Sequence, residues 1–279
     1  MAVKTTEGSK AISETVKNCQ PDVVACYPIT PSTHIAEKLE KYYSDGEIKN
    51  FVAVESEFSA LSVLIGAAAA GGRTFSTTSA QGLLLMHEAL FNAAGMRLPI
   101  VMVIANRAVS APLSIWNDEQ DSISQRDTGW IQLYCKNNQE AVDTVIQAYE
   151  IAESTCIPVL VCVDGHYLTH AVEQIDIPTE EQVKEFLPGF VPQIVLDPQN
   201  PLTFGSYAPP EYYQEFRQDL HEDMQKSKQK IIEIGKKFGE KFSRNYGLME
   251  EYRTKDAKFV LVGLGSVMDN IKAVVDELR

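Results

Sequence analysis

The strongest constraint on the fold is an alternation of short apolar runs with helix-like segments, which extends from residue 8 to about residue 170. This alternation predicts an α/β fold with a parallel sheet flanked by helices, because strands buried on both faces read as short continuous apolar runs. The predicted strands are Val23–Cys26, Phe51–Val54, Thr74–Thr77, Ile100–Ala105 and Val159–Val163. Ligands of such sheets bind beyond the carboxyl ends of the strands, so functional residues are expected in the loops that follow these runs.

The alternation stops near residue 176, where a proline-rich segment with little periodicity extends to Pro210 and predicts an ordered connector. A charged, helix-like segment follows, with apolar residues on a broken stripe at Phe216, Leu220, Ile231, Ile234, Phe238 and Phe242. The final segment, KFVLVGLGSVMDNIKAVVDELR, predicts one further strand, loop and helix. A single such unit leaves its sheet edges uncovered, so we expect that the chain is truncated or that a partner completes the unit.

Charge and composition exclude several classes of function. The 279 residues include 38 acidic and 25 basic side chains, and the net charge of −13 argues against nucleic acid or an anionic membrane as the main partner. No apolar run reaches the roughly 18–20 residues of a membrane span, and MAVKTTEGSK lacks the apolar core of a signal peptide, so a cytoplasmic location is expected. The cysteines are scattered and form no CxxC pair, which gives little support for disulfides, zinc or an iron–sulfur cluster on this chain.

The stretch YPITPST, Tyr27 to Thr33, places two prolines around Thr30 directly after the first predicted strand. Proline fixes its own φ and biases the preceding residue toward extended geometry, so the shape of this turn is largely preset. One interpretation is that Pro31 opens a helix that Thr30 caps. The other is that the turn holds a hydroxyl or a carbonyl still against a ligand.

Polar side chains also follow the next three predicted strands. They are Glu55 and Glu57 in VESEFSA, Ser79 and Gln81 in TSAQG, and Asn106 and Arg107 in ANRA. Polar groups that converge on one edge of a sheet are what a small-molecule site requires. From the residues alone, Glu57 could equally be a first-turn glutamate favoured by the helix dipole, and Arg107 either an ion-pair partner or a clamp for a carboxylate or phosphate. For Gln81 and Asn106, backbone hydrogen bonding in a turn is the simpler interpretation.

Other motifs carry weaker signals. His87 in LLLMHEALF is more typical of a packed core residue than of a ligand, and His166 and His170 have no evident third ligand, so no metal site is predicted. GLGS falls short of a GxGxxG fingerprint and VDGHYL has no P-loop lysine. An NAD-dependent dehydrogenase is therefore poorly supported.

Six colinear motifs carry a specific resemblance. YPITPST, VESEFSA, TTSAQGLLLMHE, GMRLPIVMVIANRAVSAP, WNDEQDSISQRDTGWIQLY and NNQEAVDT closely resemble the α chain of 2-oxoacid:ferredoxin oxidoreductases, most nearly the pyruvate enzymes. The resemblance implies a pyrimidine-type thiamine diphosphate-binding domain at 1–175 and a connector with a long helix at 176–255. It also implies that 256–279 is the first β–α unit of an incomplete C-terminal transketolase-type domain.

The resemblance further implies roles for individual residues. Glu57 matches the glutamate that hydrogen-bonds the aminopyrimidine ring of thiamine diphosphate, Thr30 the residue that contacts the 2-oxoacid, and Arg107 the arginine that receives its carboxylate. Pro28 and Pro31 would then hold Thr30 rigid over the cofactor. The implied cofactor-binding residues, besides Glu57, are Pro28, Ile29, Ser79 and Gln81.

The implied reaction is the reversible oxidative decarboxylation of pyruvate, with the acyl group passed to coenzyme A and the electrons to ferredoxin. A β subunit would supply the diphosphate and Mg²⁺ site, and iron–sulfur clusters would lie on partner subunits of the β, γ and δ types. The branched-chain 2-oxoisovalerate enzymes are the close alternative, whereas 2-oxoglutarate enzymes tend to have SGPG where this chain has SAQG. A non-catalytic assembly subunit, docked through its small-residue helices, is the alternative of a different class.

Overall fold

A computed structural model of the chain describes residues 2–279. The first half contains β1 Ala2–Glu7, α1 Gly8–Asn18, β2 Val23–Cys26, α2 Thr33–Ser44, β3 Phe51–Ala53, α3 Glu57–Ala69, β4 Thr74–Thr78, α4 Ala80–Leu85, α5 His87–Gly95, β5 Val101–Asn106 and α6 Gln120–Ile123. The second half contains β6 Ile131–Cys135, α7 Asn138–Thr155, β7 Val159–Asp164, α8 Tyr167–His170, β8 Val172–Ile177, α9 Glu180–Phe186, α10 Pro210–Phe242 and α11 Val267–Leu278.

Six of the strands form one parallel sheet in the order β3-β2-β4-β5-β7-β6. Successive residues of β5 point to opposite faces, as the period of two in a strand requires: Val101 and Val103 enter one core, and Met102 and Ile104 enter the other. Helices cover both faces, so the predicted α/β class is confirmed. All five strands predicted between residues 8 and 170 are present, with ends that differ by at most one residue.

Three strands were not predicted. β6 lies at the edge of the main sheet and only its two ends are fully buried, so its sequence, IQLYC, does not form a continuous apolar run. β1 and β8 pair antiparallel in a separate two-stranded sheet that begins with the register Ala2 to Ile177. β1, AVKTTE, is polar and largely exposed, whereas Ile175 and Ile177 of β8 are buried in a small apolar cluster, so neither strand reads as a continuous apolar run.

The predicted connector is more structured than its prolines suggest. It begins within β8 and contains α9, whose Thr179 and Gln182 form a capping box and whose Val183 and Phe186 are buried in the main core. Residues 176–186 of the predicted ordered connector thus contain the end of β8 and all of α9. The division of the chain into three domains stays a prediction.

The long helix α10 lies across the sheet domain, as its broken stripe predicted. Phe238 and Phe242 are buried and stack with Phe186 of α9, with ring centroids 5.4 Å and 6.0 Å from it. Phe216, at the other end of the predicted stripe, is 57% exposed. The helix is therefore anchored mainly through its C-terminal half.

The predicted C-terminal strand is absent from the structure. Residues 258–264 have no regular secondary structure, and Phe259 and Val262 are 93% and 95% exposed. A strand needs a neighbour for its N–H and C=O groups, and no other strand lies beside this segment within residues 2–279. The helix of the predicted unit, α11, does form. No helix in the described part of the chain is both long and apolar enough to cross a membrane.

Candidate active site

The carboxyl ends of β2, β3, β4 and β5 lie side by side in the sheet. The loops that follow them bring the turn at Thr30, the glutamates at 55 and 57, the Ser79–Gln81 segment and the Asn106–Arg107 pair to one edge. The structure thus gathers the predicted site residues on four neighbouring segments. The chemical roles of these residues stay predictions, and their contacts restrict which roles are possible.

The turn after β2 is fixed by its own hydrogen bonds. The backbone N–H and the hydroxyl of Ser32 both donate to the carbonyl of Ile29, each at 2.8 Å. Helix α2 begins at Thr33 with Ser32 as its N-cap, so the interpretation of Thr30 as the cap of a helix opened by Pro31 is wrong. Thr30 is exposed, whereas Pro31 is buried. The turn therefore presents Thr30 to solvent on a rigid base.

Glu57 is the first residue of α3, where Ser56 caps the helix by accepting a hydrogen bond from Ser59 N–H at 3.2 Å. Its side chain is buried, with 6% exposure, and no group in residues 2–279 pairs with or hydrogen-bonds its carboxylate. Glu55, by contrast, accepts a hydrogen bond from the Ser59 hydroxyl at the surface. A first-turn glutamate that served only the helix dipole would stay solvated, so the burial of Glu57 favours a functional role.

Gly82, on α4, leaves room for this carboxylate. A Cβ atom at position 82 would lie 2.5 Å from Glu57 Oε1 and 2.7 Å from its Cγ, and it would also overlap the hydroxyl of Thr78. Only a residue without a side chain fits there while Glu57 stays in place. The glycine therefore preserves the position of the buried carboxylate.

Arg107 is a buried cation without a counter-ion. Its Nη1 donates to the carbonyl of Thr30 at 2.6 Å and its Nη2 to Gln81 Oε1 at 2.8 Å, while its Nε is buried and has no acceptor. Within residues 2–279 no carboxylate lies within 4.0 Å of the guanidinium. Burial lowers the pKa of Arg107, and the nearby Asp121 carboxylate opposes this effect.

A comparison with Arg73 shows how unusual this arrangement is. Arg73 has the same 6% exposure, but its guanidinium contacts the Glu153 carboxylate at 2.5 Å and 3.0 Å. A buried charge normally has such a partner, because removal from water is costly for an unpaired ion. An anionic ligand would supply the missing partner of Arg107. Within residues 2–279 Arg107 therefore has no structural ion-pair partner, which favours the interpretation as a clamp for an anion.

Asp121, in the short helix α6, organises this edge and was missed from the sequence. Its fully buried carboxylate accepts hydrogen bonds from Ala80 N–H at 2.8 Å, Asn106 Nδ2 at 2.7 Å and Arg107 N–H at 3.1 Å. Burial raises the pKa of this carboxyl group, and the bonds to its oxygens oppose the shift. These three partners lie 14 to 41 positions away in the sequence, so no local pattern identifies Asp121.

The site fits a polar cofactor and substrate. Several polar atoms at this edge are buried and have no partner in the described chain: Thr78 Oγ1, Ser79 Oγ, Gln81 Nε2, Asn106 Oδ1 and Arg107 Nε. Buried polar atoms are normally hydrogen-bonded, so these mark positions where a ligand completes the network. Gln81 and Asn106 use their other side-chain atoms for Arg107 and Asp121, not for the backbone of a turn.

Comparison with known proteins also indicates a cofactor-binding domain. Residues 14–236 match the family described as pyruvate flavodoxin/ferredoxin oxidoreductase, thiamine diphosphate-binding. The pyruvate synthase subunits PorA of Methanothermobacter thermautotrophicus and Methanosarcina barkeri are 49% and 52% identical; the matches cover 100% and 98% of this chain and 74% and 69% of theirs. The ketoisovalerate oxidoreductase subunit VorA of Pyrococcus horikoshii is 46% identical, over 99% of this chain and 71% of its own.

A solved structure supports the fold. The 2-oxoglutarate:ferredoxin oxidoreductase of Magnetococcus marinus superposes with a TM-score of 0.65 at 18% identity, over 83% of this chain and 45% of that chain. The present chain thus spans less than half of the length of that protein. The resemblance identified from the six motifs is confirmed. This chain belongs to the pyruvate flavodoxin/ferredoxin oxidoreductase family and carries its thiamine diphosphate-binding domain.

Proposed function

We propose that this chain is the α-type subunit of a thiamine diphosphate-dependent 2-oxoacid:ferredoxin oxidoreductase, and that its 2-oxoacid is pyruvate. The observation that carries this proposal is the buried, unpaired guanidinium of Arg107 on the same sheet edge as the buried carboxylate of Glu57. A 2-oxoacid is an anion at neutral pH and supplies the counter-ion that Arg107 lacks. The PorA relatives, named as pyruvate synthase subunits, support the choice of acid.

Glu57 would hold the aminopyrimidine ring of the cofactor. When bound, thiamine diphosphate supplies the nucleophilic carbon that attacks the 2-oxoacid and the electron sink for its decarboxylation. A carboxylate that is buried, unbonded and kept in place by Gly82 is suited to exchange a proton with a ring nitrogen. Pro28, Ile29, Ser79 and Gln81 lie in the adjoining loops and would contact the same cofactor.

Arg107 would bind and orient the substrate carboxylate. Its Nε has no acceptor, and its two Nη atoms are held by Thr30 and Gln81, so the guanidinium plane is fixed before the substrate arrives. A fixed guanidinium that donates two hydrogen bonds to a carboxylate gives both energy and orientation. Thr30, exposed on its rigid turn, would contact the substrate beside it.

Other groups of the reaction would come from partner chains. Four of the five cysteines are buried, and burial raises the pKa of Cys26 to about 12, so this thiol is not a ready cluster ligand. We propose that a β subunit holds Mg²⁺ and the diphosphate, and that β-, γ- and δ-type partners carry iron–sulfur clusters. Two electrons would then reduce ferredoxin, CO₂ would leave and the acyl group would pass to coenzyme A. The cytoplasmic location expected from the sequence is part of this proposal.

One observation favours a second substrate. The VorA relatives, named as ketoisovalerate oxidoreductase subunits, are only slightly less similar than the PorA relatives, at 45–46% identity. A branched 2-oxoacid carries the same carboxylate for Arg107 and differs only in its apolar side chain. A small change in pocket shape is worth about 1–3 kcal/mol in specificity, so the choice between the two acids needs an experiment.

The test is viologen reduction by this chain purified with its native partners and saturated with thiamine diphosphate. Pyruvate, 2-oxoisovalerate and 2-oxoglutarate are compared at equal concentrations, with and without coenzyme A. The proposal predicts the highest kcat/KM with pyruvate and turnover that requires coenzyme A. A preference for 2-oxoisovalerate would replace pyruvate as the proposed substrate. Inactivity with all three acids would leave the non-catalytic assembly subunit as the remaining interpretation.

A further inference from the structure

A second group of polar side chains lies outside the site described above. Glu7 ends β1, His34 lies in the first turn of α2 and His170 ends α8. Each residue offers one potential ligand atom, and these three atoms all lie within 4.8 Å of one another. No third ligand for His170 was evident from the sequence, because Glu7 and His34 are more than 130 positions away.

The backbone under each residue of this triad is held by hydrogen bonds between elements. Gly8 N–H donates to the carbonyl of Ala171 at 3.0 Å, which joins the end of β1 to the residue after α8. The buried hydroxyl of Ser9 donates to the Thr169 carbonyl at 2.7 Å, and that of Ser13 to the Ile35 carbonyl at 3.2 Å. The three side chains therefore project from a rigid base, as a preorganised site requires.

The side-chain chemistry is that of a transition-metal site. Thr169 Oγ1 lies 2.8 Å from His170 Nδ1, and in the tautomer in which Nδ1–H donates to this hydroxyl, the lone pair of Nε2 is available to a metal ion. His34 Nδ1 lies 2.5 Å from Glu7 Oε1, and Lys10 contacts the other carboxylate oxygen at 3.2 Å. Two imidazoles and one carboxylate suit Zn²⁺ and Fe²⁺, with the remaining positions open to water.

We propose that Glu7, His34 and His170 form a binding site for a divalent transition-metal cation of the Zn²⁺ type. Ligand atoms on a tetrahedral Zn²⁺ lie about 3.3 Å apart, given bonds of about 2.0–2.1 Å. The separations in the structure are at most 4.8 Å, so binding would require side-chain rotations that shorten them by up to about 1.5 Å. The site joins β1 and α8 to the start of α2, the helix that follows the Thr30 turn, and it goes beyond the proposed oxidoreductase function.

The test is a titration of the intact, tag-free chain with Zn²⁺ by calorimetry and with Co²⁺ by visible absorption. We expect one Zn²⁺ per chain and Co²⁺ d–d bands of low-symmetry coordination. His34→Gln and His170→Gln should each weaken Zn²⁺ binding by at least the roughly 10–100-fold that loss of an outer-shell partner costs. The control is His221→Gln, which removes an exposed histidine from α10 and should leave the affinity unchanged.

Thermal unfolding gives a second measurement of Zn²⁺ binding that does not depend on the affinity measured for any one variant. Zn²⁺ should raise the Tm of the wild-type chain and of His221→Gln, and it should raise that of the triad variants much less. No Zn²⁺ binding by the wild-type chain, or equal affinity in the triad variants and the control, would overturn the proposal. Because these measurements need no thiamine diphosphate, substrate or turnover, their outcome is independent of the proposed oxidoreductase activity.

Discussion

Replacing Arg107 with methionine removes the unpaired guanidinium while keeping most of the length of the side chain. If the guanidinium donates two hydrogen bonds to the substrate carboxylate, each contributes about 1.5–3 kcal/mol. Even the lower value gives about 3 kcal/mol for the pair, which corresponds to a roughly 100-fold higher KM for the 2-oxoacid. The affinity for thiamine diphosphate should change far less, because Glu57 and the neighbouring loops stay in place.

The same substitution should have little effect on stability. Thr30 O and Gln81 Oε1 lose their donors, at about 1 kcal/mol each, but removal of a buried, unpaired cation offsets this cost. The matched control is Arg73→Met, which leaves the Glu153 carboxylate without its partner and should lower the free energy of unfolding by about 3–5 kcal/mol. The two arginines have the same exposed fraction, 6%, and differ in whether a carboxylate pairs with the guanidinium, so their contrast tests the role of the missing counter-ion.

The assays are urea unfolding of the variant chains and steady-state viologen reduction by the assembled complexes over a range of 2-oxoacid concentrations. Arg107→Lys separates charge from shape, since lysine keeps the charge but not the two parallel donors, and its KM should lie between those of the wild type and Arg107→Met. An unchanged 2-oxoacid KM, or a stability loss in Arg107→Met as large as in Arg73→Met, would refute the assignment of Arg107 to the substrate carboxylate.

Three further substitutions test the rest of the edge. Gly82→Ala places a methyl group against the Glu57 carboxylate and should lower turnover at least about tenfold, with a loss of about 1–3 kcal/mol in unfolding free energy; unchanged turnover would contradict the packing argument. Asp121→Asn places an amide N–H₂ group against the Ala80 and Arg107 N–H donors, which disturbs the position of Arg107. We therefore expect a raised 2-oxoacid KM and a loss of about 2–3 kcal/mol in the free energy of unfolding, checked by the same two assays. Burial and the nearby Asp164 carboxylate raise the pKa of Glu119 to about 8. Because the folded chain then binds more protons than the unfolded one, the free energy of unfolding should fall as pH rises from about 4.5 to 8. Glu119→Gln should reduce this fall, measured by urea unfolding at each pH, by about 1–2 kcal/mol. A pH dependence equal to that of the wild type would contradict the raised pKa of Glu119.

The sequence predicted the central sheet well for a physical reason. Strands such as β5 and β7 are buried on both faces, so every residue before the last, Asn106 or Asp164, is apolar and the run stands out. The edge strand β6 and the strands of the small β1–β8 sheet contain exposed or half-buried polar residues, so their sequences form no continuous apolar run. The segment at 258–264 shows the converse error, since an apolar run alone predicts a strand whether or not a neighbour exists to pair with it.

The candidate site was predictable to the extent that its residues follow strands directly. Glu57 and Arg107 stand out as polar side chains at the ends of apolar runs, and the topology brings those ends together. Asp121 and the pairing of His34 with Glu7 were not predictable, because each depends on contacts between segments that are distant in the sequence. The burial of Arg107 without a counter-ion is likewise a property of the folded chain alone.

The most direct test of the central claim is the turnover of the Glu57→Gln complex with saturating thiamine diphosphate and pyruvate. Glutamine keeps the size of the side chain but cannot exchange a proton with the aminopyrimidine, which is expected to cost about 10²–10⁴-fold in rate. The account predicts a folded, assembled complex whose pyruvate-dependent viologen reduction falls by at least about 100-fold. Turnover near that of the wild type would contradict the assignment of Glu57 and, with it, the placement of the cofactor at this edge of the sheet.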